Sequence, residues 1–552
     1  MRPGTGAELV LVQGAVRTLD AAATRASGLA IGGGRLLAVG SDDDVLALAG
    51  PRTVVEPLDG RVVLPGLVDP HNHLLATGAV LGNIELYDCR SIRDVVERIA
   101  ARVTQTPPGE WIVGRGWDES LLDEKRHPTR HDLDPVSPAN PVVIHRVWNR
   151  LVANSAALAA CGISGQTPEP RPGLYAGGFE RDPGGEPTGL FRDAAKELVL
   201  RHVPTLRDEE RLAAIVRACR AYNAVGLTTV AEPGLYPYEM DAFRRAREEG
   251  RLTVRTDMLV AGWGWAAAAA WSTGPPLPED GLADRIGGLA GGNGSDDDLL
   301  RLGGVKLLPD GGIGDRTARL LEPYADSDGR GQWVVEPERL REHVRFVHEA
   351  GWSLDVHTCG DEAQEVTVSA MAAAQEESPK PWLRLRGHHA YLPTAVALGQ
   401  MARHRIAALV SSPFLAHLGE SFVGSLGEER AARMMPMRTY LAAGVPLAGS
   451  SDSPITTFDP WQGVHAAVTR RTVAGRVLGD AERLTLDEAI RSYTTGAAAA
   501  LGLEQKVGTL ERGKLADCVV LDRDPWSVKP EELASVRTLA TMLGGRWVYD
   551  ER

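Results

Sequence analysis

The stretch that decides the fold is VVLPGLVDPHNH, residues 62–73, in which an apolar run leads through Pro-Gly into two histidines. An apolar, β-branched run of this kind predicts a buried strand. His71 and His73 are two residues apart, which places both on the same side of an extended segment. A lone His-x-His is a weak signal, since two of fourteen histidines can fall together by chance. Its position just past a predicted strand strengthens the indication of a metal site.

Similar short runs recur along the chain and alternate with longer helical stretches, which is the pattern of βα units and a parallel sheet. Eight such runs predict an α/β fold, a TIM-like (β/α)₈ barrel with its active site at the carboxyl ends of the strands. The runs are Val62 to Val68, Leu227 to Val230, Thr253 to Val260, Leu302 to Leu308, Ser353 to Val356, Leu383 to Leu385, Ile406 to Val410 and Val445 to Ala448.

The chain is longer than such a barrel requires, since a typical barrel has about 250 residues. We therefore divide it into a barrel at residues 65–499 and a large insertion after the first strand, at about 84–222, able to form a lid over the barrel mouth. Residues 1–64 and 500–552 share short strand-like runs separated by turn residues. These two segments are predicted to form one small β-sandwich from both chain termini.

Titratable residues follow or occupy five of the eight predicted strands, where a barrel builds its active site. Besides the two histidines of the first strand, they are Lys306, His357, His388, His389 and Asp452. Imidazole and carboxylate groups are the ligands that suit zinc and similar divalent ions. Each residue has a simpler interpretation, for example Asp452 as a turn residue in SSDSP, but the combination favours a metal centre.

The same residues lie in motifs that resemble the amidohydrolase superfamily of metal-dependent hydrolases. More narrowly, the chain is similar to amidohydrolase family 3, which includes YtcJ-like proteins and N-substituted formamide deformylases. The resemblance covers nearly the whole chain and is specific, because the motifs are long and follow the family order. They are PGLVDPHNH, GWDE, NSAAL, EPTGLFRDAA, VKLLPDGGIGDRTA, VHTCGDEA, GHHA, GVPLAGSSDSP, DPWQGVHAAVTRRT and GTLERGKLADCVVLD.

The resemblance implies a metal centre with one or two ions, with Zn²⁺ as the first choice and Mn²⁺ or Fe²⁺ as alternatives. His71, His73 and Asp452 would surround one ion, and His357 and His389 would hold a second. Many relatives carry an N6-carboxylated lysine that bridges both metals at the position of Lys306, and both forms of this lysine are open. An ammonium cannot ligate a cation, whereas a carbamate supplies anionic oxygen ligands.

A metal-activated hydroxide would then attack the carbonyl carbon of a small N-substituted amide of the formamide or N-acyl amine type, breaking a C–N bond. Asp452 would be the catalytic residue, as general base and then general acid. Candidates for contacting the substrate or supporting the ligands are Trp117, Asp118, Arg146, Trp148, Asp361 and His388. At residues 147–150 the chain has VWNR where relatives show Asp-Gly-His or Cys-Gly-His, which leaves one substrate contact undefined. Cys359 is treated as an inert buried thiol because no base is placed beside it.

Two other functions were weighed. The first is an aminohydrolase that deaminates a heterocycle on the same barrel. Such deaminases usually lack the strand-four lysine and often have Glu three residues after the strand-five histidine, where this chain has Gly360. The second is a non-catalytic scaffold, which typically has lost metal ligands that this chain retains. Both fit the sequence less well than an amidohydrolase.

Composition limits the remaining classes. With 60 Lys and Arg against 73 Asp and Glu, the net charge of −13 would repel a phosphate backbone, so nucleic-acid binding is not expected. No run of eighteen apolar residues predicts a membrane span, and the first residues do not form a signal peptide. Five scattered cysteines without Cys-x-x-Cys indicate reduced thiols. We expect a cytoplasmic protein with a small-molecule substrate, and a homodimer from the general frequency of two-fold dimers.

Overall fold

The computed structural model describes residues 6–119, 121–146, 150–169, 178–264, 281–283, 286 and 297–552. Its largest sheet has eight parallel strands, each paired with the next along the chain, which form a nearly closed barrel. They are labelled β1 (Leu67–Asp69), β2 (Leu227–Leu235), β3 (Arg255–Ala261), β4 (Leu300–Leu307), β5 (Leu354–Thr358), β6 (Leu385–His389), β7 (Ala407–Val410) and β8 (Leu447–Gly449).

The predicted α/β barrel is confirmed, with two corrections to its strands. The run Val62 to Val68 covers parts of two strands: Val62–Pro65 pairs in a different sheet, and only Leu67–Asp69 belongs to the barrel. The chain changes sheets at Gly66, where a Cβ atom would lie 2.2 Å from the Thr228 side chain. The run Leu383 to Leu385 is also misplaced, since β6 begins at Leu385 and continues through the polar residues to His389.

Helices follow most of the barrel strands. The helix Ala395–His404 shows how the sequence sets their ends: the Thr394 hydroxyl accepts a hydrogen bond from the Ala397 amide, and Arg405 ends it in the left-handed conformation. Among the described residues, the helices that lie wholly or partly outside residues 78–214 include Asp42–Leu46, Leu74–Val80, Asp208–Ala224, Pro237–Glu248, Pro337–Glu349, Asp361–Glu377, Ala395–His404, Pro413–Leu426, Glu428–Ala432, Met437–Ala442, Pro460–Thr469, Leu486–Ser492 and Thr495–Leu501.

Strands near the chain ends form two further sheets, and the second of these contains strands from both ends. The first contains, in spatial order, Arg35–Gly40, Gly28–Gly32, Ala7–Val12 and Ala49–Pro57. The second contains Arg546–Asp550, Thr538–Leu543, Cys518–Leu521, Val62–Pro65, Ala15–Arg17 and Arg25–Ala26. Buried side chains from both sheets, among them Leu11, Leu29, Val63 and Val520, form one apolar cluster. This packing ties the two chain ends to each other.

The internal contacts divide the chain into two compact units, with residues 78–214 forming one and the remaining residues the other. The smaller unit has its own sheet, helices and core. Its strands are Ile84–Glu85, Ile112–Trp117, Val142–Arg146, Arg150–Ala153, Pro187–Arg192 and Gly178–Arg181, and its helices Ile92–Val103, Arg130–Leu133, Ser155–Ala160 and Glu197–Leu200. Its bounds lie earlier than the 84–222 of the sequence analysis, because the helix Asp208–Ala224 spans the boundary.

Two general features bear on the expectations from composition. Among the helices of the described residues, none combines the length and apolar character needed to cross a bilayer. All five cysteines are free and buried.

Candidate metal centre

The two edge strands of the barrel sheet are joined just beyond their carboxyl ends. The Asp452 amide donates to the His71 carbonyl at 2.8 Å, and the His73 amide donates to the Ser453 carbonyl at 2.9 Å. These bonds link the segment after β1 to the segment after β8. They therefore bring residues almost 380 positions apart to one end of the barrel.

Asp69, at the end of β1, reinforces this junction. Its carboxylate accepts hydrogen bonds from the Ser451 hydroxyl at 2.6 Å and from the Asn72 amide group at 2.8 Å. Burial raises the pKa of this carboxyl group to about 6, against the lowering effect of these hydrogen bonds. Asp69 thus helps to fix the backbone on which the two histidines and Asp452 are placed.

At this junction the side chains of His71, His73 and Asp452 converge. One oxygen of Asp452, Oδ1, lies 3.2 Å from Nε2 of His71 and 3.2 Å from Nε2 of His73. All three residues are buried, and Nδ1 of His71 has no hydrogen-bond partner among the described residues. A buried polar atom without a partner is costly, unless a further group completes the site.

Strands β5 and β6 contribute three more imidazole rings next to this group. The ring of His71 lies 4.3 Å from that of His388 and 4.9 Å from that of His389, measured between ring centroids. The ring of His389 lies 4.5 Å from that of His357. The histidines predicted at three strand ends therefore form one continuous cluster.

Burial lowers the pKa of several of these histidines far below the usual value, to about 3 for His357 and for His388. The same cause lowers the pKa of His71 and of His389. These rings are therefore neutral at physiological pH, and the neutral imidazole is the form that ligates metals.

Lys306, on β4, lies in the middle of this cluster. It is 1% exposed, and its Nζ atom has no hydrogen-bond partner among the described residues. Burial lowers the pKa of its amino group to about 8, although Asp355 and Asp452 act in the opposite direction. A buried amino group without a hydrogen-bond partner is poorly stabilised, which favours chemical modification of this amine.

Potential ligand atoms fall into two adjacent groups. His71, His389 and Asp452 place one such atom each within 4.8 Å of one another, and so do His357, Cys359 and His389. His389 belongs to both groups. Neutral imidazoles with a carboxylate are the donors that zinc and similar divalent ions take, so the residues fit one or two such ions.

A buried ion pair that the sequence analysis did not identify supports His388. Asp355 on β5 accepts hydrogen bonds from Arg386 on β6 at 2.6 and 2.5 Å, and its Oδ1 lies 2.7 Å from Nε2 of His388. Burial alone would raise the pKa of Asp355, but Arg386 and His388 lower it to about 2. The carboxylate fixes the ring of His388, whose Nδ1 has no hydrogen-bond partner among the described residues.

Asp310 is a further residue that the sequence analysis did not identify. It follows β4, and it accepts backbone hydrogen bonds from Gly360 at 2.9 Å and Arg319 at 3.0 Å. Its Oδ1 lies 3.6 Å from Nε2 of His357. Burial raises the pKa of Asp310 to about 7 despite these hydrogen bonds. Its position just past a barrel strand, in LLPDGG, was the signal that could have identified it.

Four of the predicted substrate-side residues fall within the range of the smaller unit, and three of them, Trp117, Asp118 and Arg146, are among the described residues. Trp117 is fully buried in that unit's apolar core, and its indole N–H donates to the Ile144 carbonyl at 3.3 Å, which favours a structural role. Arg146 is paired with Glu119 at 2.6 Å and with Asp118 at 3.4 Å. Trp148 lies outside the described residues, as does most of the VWNR segment.

Asp361 begins the helix that follows β5. Its Oδ1 atom accepts hydrogen bonds from the Leu321 amide at 2.8 Å and from the Glu362 amide at 3.0 Å. The structure therefore shows this residue holding the loop around residue 321 against the start of the helix, close in sequence to His357.

Comparison with known proteins places this site in a family context. A family model described as "Amidohydrolase family" matches residues 55–549. The chain is 30% identical to the "Putative amidohydrolase YtcJ" of Bacillus subtilis, over 91% of each chain. It is also 30% identical to the "N-substituted formamide deformylase" of Arthrobacter pascens, over 98% of each chain.

One solved structure has a fold similar to that of this chain. An uncharacterized metal-dependent hydrolase from Pyrococcus horikoshii superimposes with a TM-score of 0.76 at 26% sequence identity. The match covers 95% of this chain and 99% of that one.

Proposed function

The chain belongs to the amidohydrolase family, and from this premise we propose that it hydrolyses the C–N bond of a small N-substituted amide of the formamide or N-acyl amine type. The family makes it a hydrolase that acts on C–N bonds. The substrate class is our own inference. It is supported by the intact cluster at the barrel mouth and by the likeness, over nearly the full length, to a protein named for deformylation of N-substituted formamides.

We assign His71, His73 and Asp452 to one divalent ion and His357 with His389 to a second. Lys306, in its carboxylated form, would lie between them. The observation that carries this assignment is a pair of buried polar atoms without hydrogen-bond partners in the described part of the chain, Nδ1 of His71 and Nζ of Lys306, within a cluster of neutral imidazoles. When bound, a divalent ion supplies Lewis acidity and lowers the pKa of water toward neutrality.

Lys306 is well placed for carboxylation. The ammonium group first loses one proton, and the neutral amine then adds to carbon dioxide to give a carbamate and releases a second proton, so that a buried cation is replaced by an anion. The surrounding rings of His71, His357 and His389 offer no negative charge to an ammonium, since they are neutral. A carbamate at this position would instead add oxygen donors to the imidazole nitrogens.

Asp452 moves the proton. Water adds to the carbonyl carbon of the amide, and an oxygen of Asp452 accepts the proton that this water gives up. As the C–N bond breaks, Asp452 returns the proton to the departing nitrogen, and the products are a carboxylic acid and an amine. Nε2 of His71 and of His73 each lie 3.2 Å from Oδ1, so both rings border the carboxylate that makes the two transfers.

The first test is amine release from a panel of N-formyl and N-acyl amines by zinc-supplemented protein. Asp452→Asn keeps the size of the side chain but removes the base, so we expect its turnover to fall by about 10²–10⁴-fold. Asp241→Asn, which changes an exposed carboxylate paired with Arg244, is the control and should lose far less. Release of ammonia from amino-substituted heterocycles, with no turnover of any amide, would instead support a deaminase.

A further inference from the structure

Cys359 occupies a place in the cluster that the function proposed above leaves unused. It lies two residues after His357, at the end of β5, and is 2% exposed. Its Sγ atom and one ring nitrogen each of His357 and His389 all lie within 4.8 Å of one another. A thiolate is among the strongest ligands for zinc, with bonds of about 2.3 Å.

The hydrogen bonds around this group leave the facing atoms open to an ion. Nε2 of His357 lies 2.9 Å from the Gly311 carbonyl, an arrangement in which Nε2–H donates and Nδ1 keeps its lone pair. A metal-ligating histidine typically uses its second ring nitrogen in this way. The fully buried Nζ of Lys306, without a hydrogen-bond partner among the described residues, interacts electrostatically with Cys359, His357 and His389.

We propose that Cys359 is a ligand of the ion held by His357 and His389, so that this ion has two nitrogen donors and one sulfur donor from these residues. This inference rests on the metal centre of the proposed function. As the sulfur–metal bond forms, the thiol loses its proton to solvent. Tyr391, a side-chain hydrogen-bond partner of Cys359, can donate its hydroxyl hydrogen to the resulting thiolate.

A sulfur donor at this position would select for zinc and similar borderline-soft ions over manganese or magnesium, which prefer oxygen donors.

Among the described residues, the candidate ligand groups contain Cys359 and none of the other four cysteines. Cys219 is a matched control, since it is equally buried, at 1% exposure, and lies in the helix Asp208–Ala224. Cys219→Ser should remove a buried thiol without changing the metal environment.

The test is X-ray absorption at the zinc edge of zinc-loaded full-length protein. We expect one sulfur neighbour per chain at about 2.3 Å in the wild type and in Cys219→Ser, and only nitrogen and oxygen neighbours at about 2.0–2.2 Å in Cys359→Ser and Cys359→Ala. The wild-type spectrum decides the question even if the Cys359 variants fold poorly. A wild-type spectrum without sulfur overturns the inference.

Zinc affinity, measured by competition with a chelator, provides a second readout. Loss of a ligand should weaken zinc binding at the second site by at least about tenfold in Cys359→Ser. Unchanged affinity would overturn the inference while leaving the metal centre intact. Wild-type protein that binds no zinc at all would overturn both this inference and the proposed function, so the two failures are distinguishable.

Discussion

Asp355 and Arg386 each lie two residues before a histidine of the cluster, His357 on β5 and His388 on β6. Residues two apart in a strand point to the same side of the sheet, so both charged side chains enter the barrel interior next to the site. There they form a bidentate pair with complete burial of both side chains. His388 is therefore held by a buried ion pair, in which Asp355 contacts its ring and Arg386 neutralises Asp355.

Removing one partner of this buried pair tests how much the pair contributes to the free energy of unfolding. Arg386→Met leaves the Asp355 carboxylate buried without its main partner, and we expect the free energy of unfolding to fall by about 3–5 kcal/mol. Arg384→Met is the matched control, because Arg384 on the same segment pairs with Glu504 at the surface, with side chains 34% and 39% exposed. That change should cost less than about 1 kcal/mol. Urea denaturation of both variants checks the difference, and equal losses would contradict it.

The sequence predicted much of the cluster, because titratable residues at strand ends must converge in a barrel. The structure brings His71, His73, Lys306, His357, His389 and Asp452 together, although their roles as ligands remain predictions. Asp355, Arg386 and Asp310 were missed because a charged residue within or just after a strand does not by itself indicate burial. The two-residue spacing before His357 and His388 would have identified the first two of them.

At the scale of elements, hydrophobic runs located all eight barrel strands but not all of their limits. The run that predicted β6 ended at Leu385, where the strand begins, because Arg386, His388 and His389 are polar and break the apolar pattern. The run before His71 was taken as one strand, although it crosses from one sheet to another at Gly66. Hydrophobicity reports burial, and it does not report which sheet a strand joins.

The helix Pro460–Thr469 packs closely against Tyr493 at Gly463. A Cβ atom on Gly463 would lie 2.0 Å from the tyrosine hydroxyl oxygen, which donates to the Ser450 carbonyl just before the Asp452 segment. Gly463→Ala should therefore destabilise the protein by about 1–3 kcal/mol. Gly399→Ala, in the exposed part of another helix with no atom within 4 Å, should instead stabilise it by about 0.5–1 kcal/mol. Thermal denaturation compares the two, and effects of the same sign would contradict this packing.

The helix Pro460–Thr469 is capped by the carboxylate of Asp459, whose pKa is raised toward neutral pH. Asp459 accepts a hydrogen bond from the Trp461 amide at 2.9 Å, and burial raises the pKa of Asp459 from its ordinary 3.8 to about 6. Between these two values the folded state binds more protons than the unfolded state, so this residue makes stability fall as the pH rises. Asp459→Asn keeps the cap and removes the charge.

We therefore expect Asp459→Asn to be more stable than the wild type by about 1–2 kcal/mol at pH 7.5, with the difference disappearing near pH 4. Urea denaturation at both pH values measures it. A variant that is less stable than the wild type at pH 7.5 would show that the charge at the helix start is favourable.

At the scale of the whole molecule, the sheets built from the chain termini are joined to the barrel by a buried ion pair. Arg255 on β3 donates to Asp517 at 2.6 and 2.7 Å. Asp517 lies in the GKLADCVVLD motif near the end of the chain. Arg255 is the first residue of β3, and β3 pairs with β4, the strand that contains Lys306. The long motifs that indicated the family therefore include residues that assemble the fold as well as residues of the site.

The substrate is the part of the account that the sequence specifies least. The barrel strands, and the residues at their ends, can be located from the alternation of apolar runs and helical stretches along the chain. Substrate contacts depend on loop and insertion geometry, and Trp117, chosen as a contact, is a core residue of the smaller unit. A pattern of residue types does not distinguish a tryptophan that fills a core from one that faces a ligand.

The most direct test of the central claim, a metal centre at the barrel mouth that includes Lys306, is elemental analysis of untagged protein. We predict two equivalents of zinc in the wild type and one or none in Lys306→Ala, with the wild-type content retained in Lys380→Ala, whose amino group contacts Ser378 away from the cluster. Folded wild-type protein without divalent metal after incubation with zinc would contradict the metal centre. An equal single equivalent in all three proteins would contradict the bridging role of Lys306.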